Sequence, residues 1–515
     1  MPMTLGALLD RSAQRYRHRA CVFQDGHRIT YGDLADATDR YARGLYDLGV
    51  RRGDRVGIWM ANHADYFIAY YGNAKLGAIS VPVNTMLTGE EAHYLLRNSQ
   101  ARAVIAGPTY RTMLRSLQLR LPALRVIVVR GRHAGSREPS LEAVVGGGAD
   151  ALAGLGEGGL RFKRQVVPRD PAAILYTSGT TGRPKGAVLS HHNITWDAQA
   201  CDRRLHLSPN DRALCVLPMF HAFAETVFLV LPLLVGASVV VMERFHPVAT
   251  LKAMQEMQVT FFAGVPSMFM LMLQVPREAR PPLERLRFCV SGAAPLPVEI
   301  QERFEHEFGV PLLEGDGPTE CSPVTCVNPL EGPRKPGTVG LPLPGVKIAI
   351  FDEHDRPLPP GEVGEIVVRG PNVMMGYLDQ PEETKKVMTS GWLHTGDLGK
   401  MDDDGYLTIV GRKKELIIVG GLNVYPREVE DALLRHPAVA EVAVVGRPDR
   451  LRGEVPVAYV VLRSGPSVQP RELQAFCRER LAPFKVPRAV EFREALPKSP
   501  TGKVLRETLT GEGGA

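Results

Sequence analysis

The densest chemistry in this sequence lies in Tyr176-Thr-Ser-Gly-Thr-Thr-Gly-Arg-Pro-Lys-Gly186, which sets the hydroxyls of Thr177, Ser178, Thr180 and Thr181 and the glycines Gly179 and Gly182 beside Lys185. Glycine lets a backbone approach an anion closely, and hydroxyls and amides can then surround it. A lysine adds a compact positive charge. These are the parts of a polyphosphate site. The segment is not a Walker A loop, which requires G-x-x-x-x-G-K-[ST] between a strand and a helix. Here Gly186 follows Lys185, and Ala187-Val-Leu-Ser190 reads as a second strand after the apolar Ala172-Ala-Ile-Leu-Tyr176, so the segment is a strand–loop–strand connection. Taken alone, a glycine-rich hairpin without a ligand is the weaker alternative reading.

Further clusters follow in order: Leu217-Pro-Met-Phe-His221, Ser291-Gly-Ala-Ala-Pro295, Gly315-Asp-Gly-Pro-Thr-Glu320, Trp392-Leu-His-Thr-Gly-Asp397 and Leu496-Pro-Lys-Ser-Pro-Thr-Gly-Lys503. Together with the first loop they resemble the adenylate-forming superfamily, which includes acyl-CoA synthetases, aryl-CoA ligases, peptide-synthetase adenylation domains and beetle luciferases. The resemblance covers nearly the whole chain. It implies an ATP-dependent ligase that joins a carboxylic acid to AMP with release of pyrophosphate and passes the acyl group to the thiol of CoA.

Residue by residue, the resemblance places Thr177, Ser178, Gly179, Thr180, Thr181, Gly182 and Lys185 around the β- and γ-phosphates, with Mg²⁺ beside Thr180 and Glu320. Gly292, Ala293 and Ala294 fall in the adenine loop, and Glu314, Gly315, Asp316, Gly317 and Thr319 complete the adenine side. Asp397 is implied to accept from the ribose hydroxyls, with Arg412 as second contact, and Lys503 to reach the reacting carboxylate and α-phosphate. His221 is implied at the mouth of the acyl pocket. Its role there is orientation and electrostatics, because a carboxylate nucleophile needs no base. The implied hinge is Lys414, and Gly420 and Gly421 are implied to border a CoA tunnel. One position departs from the pattern: Asp316 stands where an aromatic usually stacks on adenine. The lost stacking would be worth about 1–3 kcal/mol.

The acyl-pocket candidates are Phe220, His221, Phe223, Ala224, Val227, Val265 and Pro266, with Met268 nearby. Their apolar character suits a hydrocarbon acid, most closely a fatty acid, with an aryl acid as the alternative. No acidic residue replaces His221 to meet a substrate ammonium, and helical spacing turns Glu225 elsewhere, which disfavours amino-acid activation. A degenerate nucleotide-binding protein on the same fold is the non-enzyme alternative. The joint presence of Lys185, Glu320, Asp397, Arg412 and Lys503 argues against it.

The elements that must position these residues read as α/β. Between 211 and 315, short apolar strands (213–217, 238–242, 259–262, 287–290) alternate with helices (225–234, 248–257, 267–273, 298–308). That alternation implies a parallel sheet covered on both faces, with ligands at the carboxyl ends of its strands. A β-rich subdomain follows from about 338 to 410. After Gly411 comes a smaller α+β unit, in which Pro426 opens a helix. The expected division is therefore a large N-terminal domain, 1–411, and a small mobile C-terminal domain, 412–515. The glycine-rich 145–159 reads as a mobile surface connection.

With 515 residues, more than one domain is expected. A net charge of +6 suits anionic small substrates without singling out nucleic acid. The cysteines Cys21, Cys201, Cys215, Cys289, Cys321, Cys326 and Cys477 are scattered, which indicates reduced thiols in a cytoplasmic protein. The most apolar run, 227–242, is broken by Pro232 and Gly236 and is too short for a confident span. Peripheral membrane contact and a homodimer both stay open.

Overall fold

The computed structural model describes residues 2–131, 138–153, 165–177, 184–463, 465, 468–498 and 504–511. It is an α/β structure of four sheets. In the nine-stranded sheet, Leu312–Asp316, Phe288–Ser291, Phe261–Gly264, Arg212–Cys215, Ser238–Val241 and Ala20–Gln24 run parallel in that spatial order. Antiparallel strands close both its edges. The seven-stranded sheet carries Arg55–Trp59, Ile79–Pro82, Ala103–Ala106 and Val126–Val129 in parallel, and the hairpin Pro171–Thr177/Lys185–Ser190 lies toward its other edge.

Strands such as Ser238-Val-Val-Val241 and Ala103-Val-Ile-Ala106 are buried throughout. This is what a sheet covered on both faces requires. The helices Tyr31–Asp47, Ala64–Leu76 and His191–Leu205 supply buried residues to one continuous hydrophobic core shared with both sheets. The third sheet is antiparallel and joins Lys347–Phe351, Gly364–Arg369, Trp392–Met401, Met388–Thr389 and Leu407–Arg412. The fourth, built from residues between Ile417 and Phe492, has its own core around Val429, Leu433, Val444 and Val460.

Two sequence expectations are corrected. The stretch from 145 is not a mobile connection as far as it is described, because a helix runs over Leu141–Ala153. It docks on Tyr31–Asp47 so closely that a Cβ on Gly44 would lie 2.4 Å from the Val144 carbonyl oxygen. Tertiary packing there outweighs the low helix propensity of its glycines. The helix expected over 225–234 is also irregular. Residues Glu225–Val230 form a wide π turn before a regular turn at Leu231–Val235. Pro232 has no N–H to give to the Phe228 carbonyl, and next to it the Tyr71 hydroxyl donates to the Leu229 carbonyl at 2.8 Å.

Candidate functional site

Most of the singled-out residues converge on one cleft of about 1710 Å³. Its walls carry Thr177 and Lys185 from the hairpin, Phe220 and His221, Ala293 and Ala294, Glu314 through Glu320, and Asp397 with Arg412. Val504 and Arg506 reach it from the C-terminal part. Ser178, Gly179, Thr180, Thr181, Gly182 and Lys503 lie outside the described residues. Gly292 is buried just behind Ala293 and does not line the cleft.

The hairpin sets the phosphate side. Its two strands pair Thr177 directly opposite Lys185, so the connecting loop starts and ends at one point. Lys185 is buried and pairs with Glu383 at 2.5 Å, with its Nζ 5.3 Å from the centre of the Tyr377 ring. Glu320 sits in the short turn Thr319–Cys321. Its Oε1 accepts from the Tyr377 hydroxyl at 2.9 Å and the Thr177 hydroxyl at 3.3 Å. Sequence reasoning missed Tyr377 and Glu383. They lie 57 and 198 positions from the residues they touch, and no local spacing signals contacts of that range.

On the adenine side, Ala293 has φ 65°, a left-handed residue just after the strand Phe288–Ser291. Glu314 ends the parallel run of the sheet. Its Oε1 accepts from the Leu296 amide at 2.9 Å, while its Oε2 is buried without a hydrogen-bond partner among the described residues. Burial raises its carboxyl to about 7, against the opposing influence of Arg427 4.0 Å away. Gly317 is required by space, since a Cβ there would stand 1.9 Å from the Pro323 carbonyl oxygen. Asp316 lines the cleft with its backbone in the sheet, opposite Cys326.

Asp397 and Arg412 are cross-strand neighbours, joined by an ion pair of 3.1 Å. Antiparallel register is what unites two residues that the sequence keeps apart.

His221 caps the turn Ala222–Ala224. Its Nδ1 accepts from the Phe223 amide at 3.2 Å, which leaves the proton of the neutral ring on Nε2. Burial lowers its pKa to about 4. The approach to it is braced by Asn62, which donates to the Leu217 carbonyl at 2.9 Å and accepts from the Met219 amide at 2.8 Å. Phe223, Ala224, Val227, Val265 and Pro266 do not face the cleft, contrary to expectation. They are buried behind Phe220 and His221, and the Phe223 ring lies 3.3 Å from where a Cβ on Gly292 would be. Glu225 points away from the cleft, as helical spacing suggested, yet it is fully buried. Its Oε1 accepts from the Tyr70 hydroxyl at 2.6 Å.

At the junction toward the fourth sheet, adjacent lysines hold opposite sides. Lys413 pairs with Glu365 of the third sheet at 3.1 Å, and Lys414 with Glu507 near the C-terminus at 2.9 Å. Gly420 and Gly421 form an exposed hairpin tip with φ 58° and 84°, conformations that favour glycine, and they do not line the cleft.

Comparison with known proteins agrees with this geometry. The family described as AMP-binding enzyme matches residues 9–378, and its C-terminal domain matches residues 428–503. A long-chain-fatty-acid–CoA ligase of Bacillus subtilis (strain 168) is 36% identical, covering 99% of this chain and 94% of the relative. A feruloyl-CoA synthase of an Amycolatopsis species is also 36% identical, over 98% of this chain and 97% of the relative. Among solved structures, ATP-bound MatB from Rhodopseudomonas palustris superposes with a TM-score of 0.89 at 32% identity, covering 99% of both chains.

Proposed function

The chain belongs to the AMP-forming acyl-CoA synthetases, acid–thiol ligases of the AMP-binding enzyme family, and from that premise we propose that its acid is a hydrocarbon carboxylic acid, in the first instance a fatty acid. The observation that carries this reading is the cleft itself. Lys185, Glu320, Asp397 and Arg412 line it together with Phe220 and His221. The B. subtilis relative, named for long-chain fatty acids, supports it. The aryl alternative has its own support in the feruloyl-CoA synthase likeness.

In the first half-reaction a carboxylate oxygen attacks the α-phosphorus. The new P–O bond forms as the bond to the β-phosphate bridge breaks, and pyrophosphate leaves. Two anions must meet, so charge neutralisation and alignment dominate. Lys185 supplies charge on the β/γ side, Asp397 with Arg412 fixes the ribose, and His221, neutral with its proton on Nε2, donates to the substrate carboxylate. Lys503 is the cation for the carboxylate and α-phosphate. The β/γ-phosphates are further held by the loop 177–182, with the adenine between Gly292–Ala294 and Glu314–Gly317.

Mg²⁺ fits the donor set. Glu320 is a lone carboxylate whose Oε2 takes no hydrogen bond among the described residues, and Mg²⁺ commonly takes one or two carboxylates plus phosphates and water. Glu320 and Thr180 would hold it, and the ion would supply charge neutralisation of the polyphosphate.

In the second half-reaction the CoA sulfur attacks the acyl carbonyl, the C–O bond to AMP breaks, and the thiol proton is lost to solvent. The C-terminal domain, 412–515, turns about Lys414 between the two steps and brings Gly420 and Gly421 to the CoA path. The family's conformational demand is to discard pyrophosphate and then admit a thiol.

The described cysteines are all free and buried, which accords with a reducing, cytoplasmic setting. Among the described residues no helix is long and apolar enough to cross a membrane. The test is pyrophosphate release from MgATP across fatty and aromatic acids of graded size, with and without CoA. Turnover with medium- or long-chain acids above that with benzoates and cinnamates is expected, and the reverse order selects the aryl reading.

A further inference from the structure

Lys185 is the cation of the phosphate side, yet in this structure its charge is already matched. Its side chain is only 9% exposed and its Nζ lies 2.5 Å from Glu383 Oε2. No other ion pair is made by Lys185 among the described residues. The partner carboxylate comes from the short helix Pro381–Val387, and its other oxygen meets Lys386 one turn on. That helix is pinned to the phosphate wall, because the Tyr377 amide donates to Thr384 Oγ1 at 2.9 Å and the Tyr377 hydroxyl donates to Glu320. Glu383 therefore reaches Lys185 from an element fastened to the same tyrosine that touches Glu320.

A buried ammonium is costly without a counter-ion. Lys185 thus needs an anion whether or not nucleotide is present. We propose that Glu383 is an internal stand-in for the polyphosphate, holding Lys185 in the nucleotide-free chain and yielding it to the β/γ-phosphates when ATP binds. This rests on the reading of Lys185 as a phosphate cation given above. Because a ligand gains only the difference between its own contact and the one it replaces, Glu383 lowers the affinity for any ligand that reaches Lys185. ATP and pyrophosphate reach it, but AMP, which lacks those phosphates, does not. After adenylation the carboxylate competes with pyrophosphate for the lysine and so favours pyrophosphate departure before the thiol arrives.

The test is calorimetric titration of the full chain with MgATP, magnesium pyrophosphate and AMP. Glu383→Gln is expected to bind MgATP and pyrophosphate about three- to tenfold more tightly than wild type. AMP affinity, which also reports an intact fold, is expected to stay within about twofold. Adding Lys386→Ala should preserve the gain, because the freed Lys386 is not its source. In a Lys185→Ala background, Glu383→Gln should have no effect. If Glu383→Gln leaves polyphosphate affinity unchanged or weakens it while Lys185→Ala weakens it, the stand-in is overturned and Glu383 merely aligns the lysine. If Lys185→Ala itself binds MgATP and pyrophosphate like wild type, the assignment of Lys185 to the phosphates is what fails, and the stand-in falls with it.

Discussion

His221 shows how burial selects a role. An imidazole with its pKa lowered to about 4 is neutral at every pH where the reaction would be run, so it can donate from Nε2 but does not act as an imidazolium. The expected pH profile of adenylation carries no inflection near the usual histidine value of about 6.5 that is lost in His221→Ala. That variant is expected to lower pyrophosphate release by about a hundredfold, the scale of one lost donor to a charged group. Steady-state profiles of both proteins from pH 5.5 to 8.5 check this.

Glu225 is the complementary case. Its carboxyl is raised from 4.5 to about 7 by burial, although the Tyr70 hydroxyl opposes the shift. Between those values the folded chain binds more protons than the unfolded one, so stability falls as pH rises across that window and levels above it. The loss is on the order of 3 kcal/mol at most. Glu225→Gln is therefore expected to melt above wild type at pH 8.5, with the gap closing toward pH 5, as thermal scans at the two pH values would show.

At the scale of elements, the adenine wall depends on the return of the chain after the strand Leu312–Asp316. Gly317 has the Pro323 carbonyl and the Thr325 amide at 1.9 and 2.7 Å from any Cβ it might carry. Backbone atoms cannot rotate aside as a side-chain end could. Gly317→Ala is expected to shift the segment bearing Asp316 and Thr319 and to raise the KM for ATP by roughly tenfold or more, with a stability cost of about 1–3 kcal/mol. An unchanged KM for ATP would show that the loop can move without disturbing the nucleotide. The wide turn Glu225–Val230 is a second element-level device. It lies immediately after His221 and its short cap, and it lets Tyr70 and Tyr71 of the helix Ala64–Leu76 satisfy groups that a regular helix would leave differently placed.

At the scale of the whole molecule, the junction is a three-residue turn, Lys413–Glu415, gripped on one side through Lys413–Glu365 and on the other through Lys414–Glu507. Arg427 also crosses between the parts, donating to the Ile409 carbonyl at 3.0 Å. The crossing contacts Lys413–Glu365, Arg427–Ile409 and Arg427–Glu314 are polar, the character typical of interfaces between domains of one chain. Lys414→Pro fixes one backbone torsion at the proposed hinge. It is expected to leave acyl-adenylate formation within about threefold of wild type and to slow transfer to CoA by about a hundredfold or more. Separate assays of pyrophosphate release and of CoA consumption from supplied acyl-adenylate check this. Equal loss in both would place the hinge elsewhere.

The sequence by itself determined the reaction class and the α/β succession. The reaction class came from the resemblance carried jointly by the loop and the five clusters that follow it in order, and strand–helix alternation is a local property. Val298–Phe308 and the helix opened by Pro426 appear where the pattern put them for that reason. What only the tertiary structure decided is who stands opposite whom. The Asp397–Arg412 pair depends on strand register, the Glu320–Tyr377 and Lys185–Glu383 contacts on elements far apart in the chain, and the burial of Phe223 and Val265 on how the core closes. The helix over Leu141–Ala153 formed despite its glycines because Gly44 let it approach. Periodicity and spacing describe a residue's own neighbourhood, whereas charge pairing and packing are settled by neighbours that arrive only when the chain is folded.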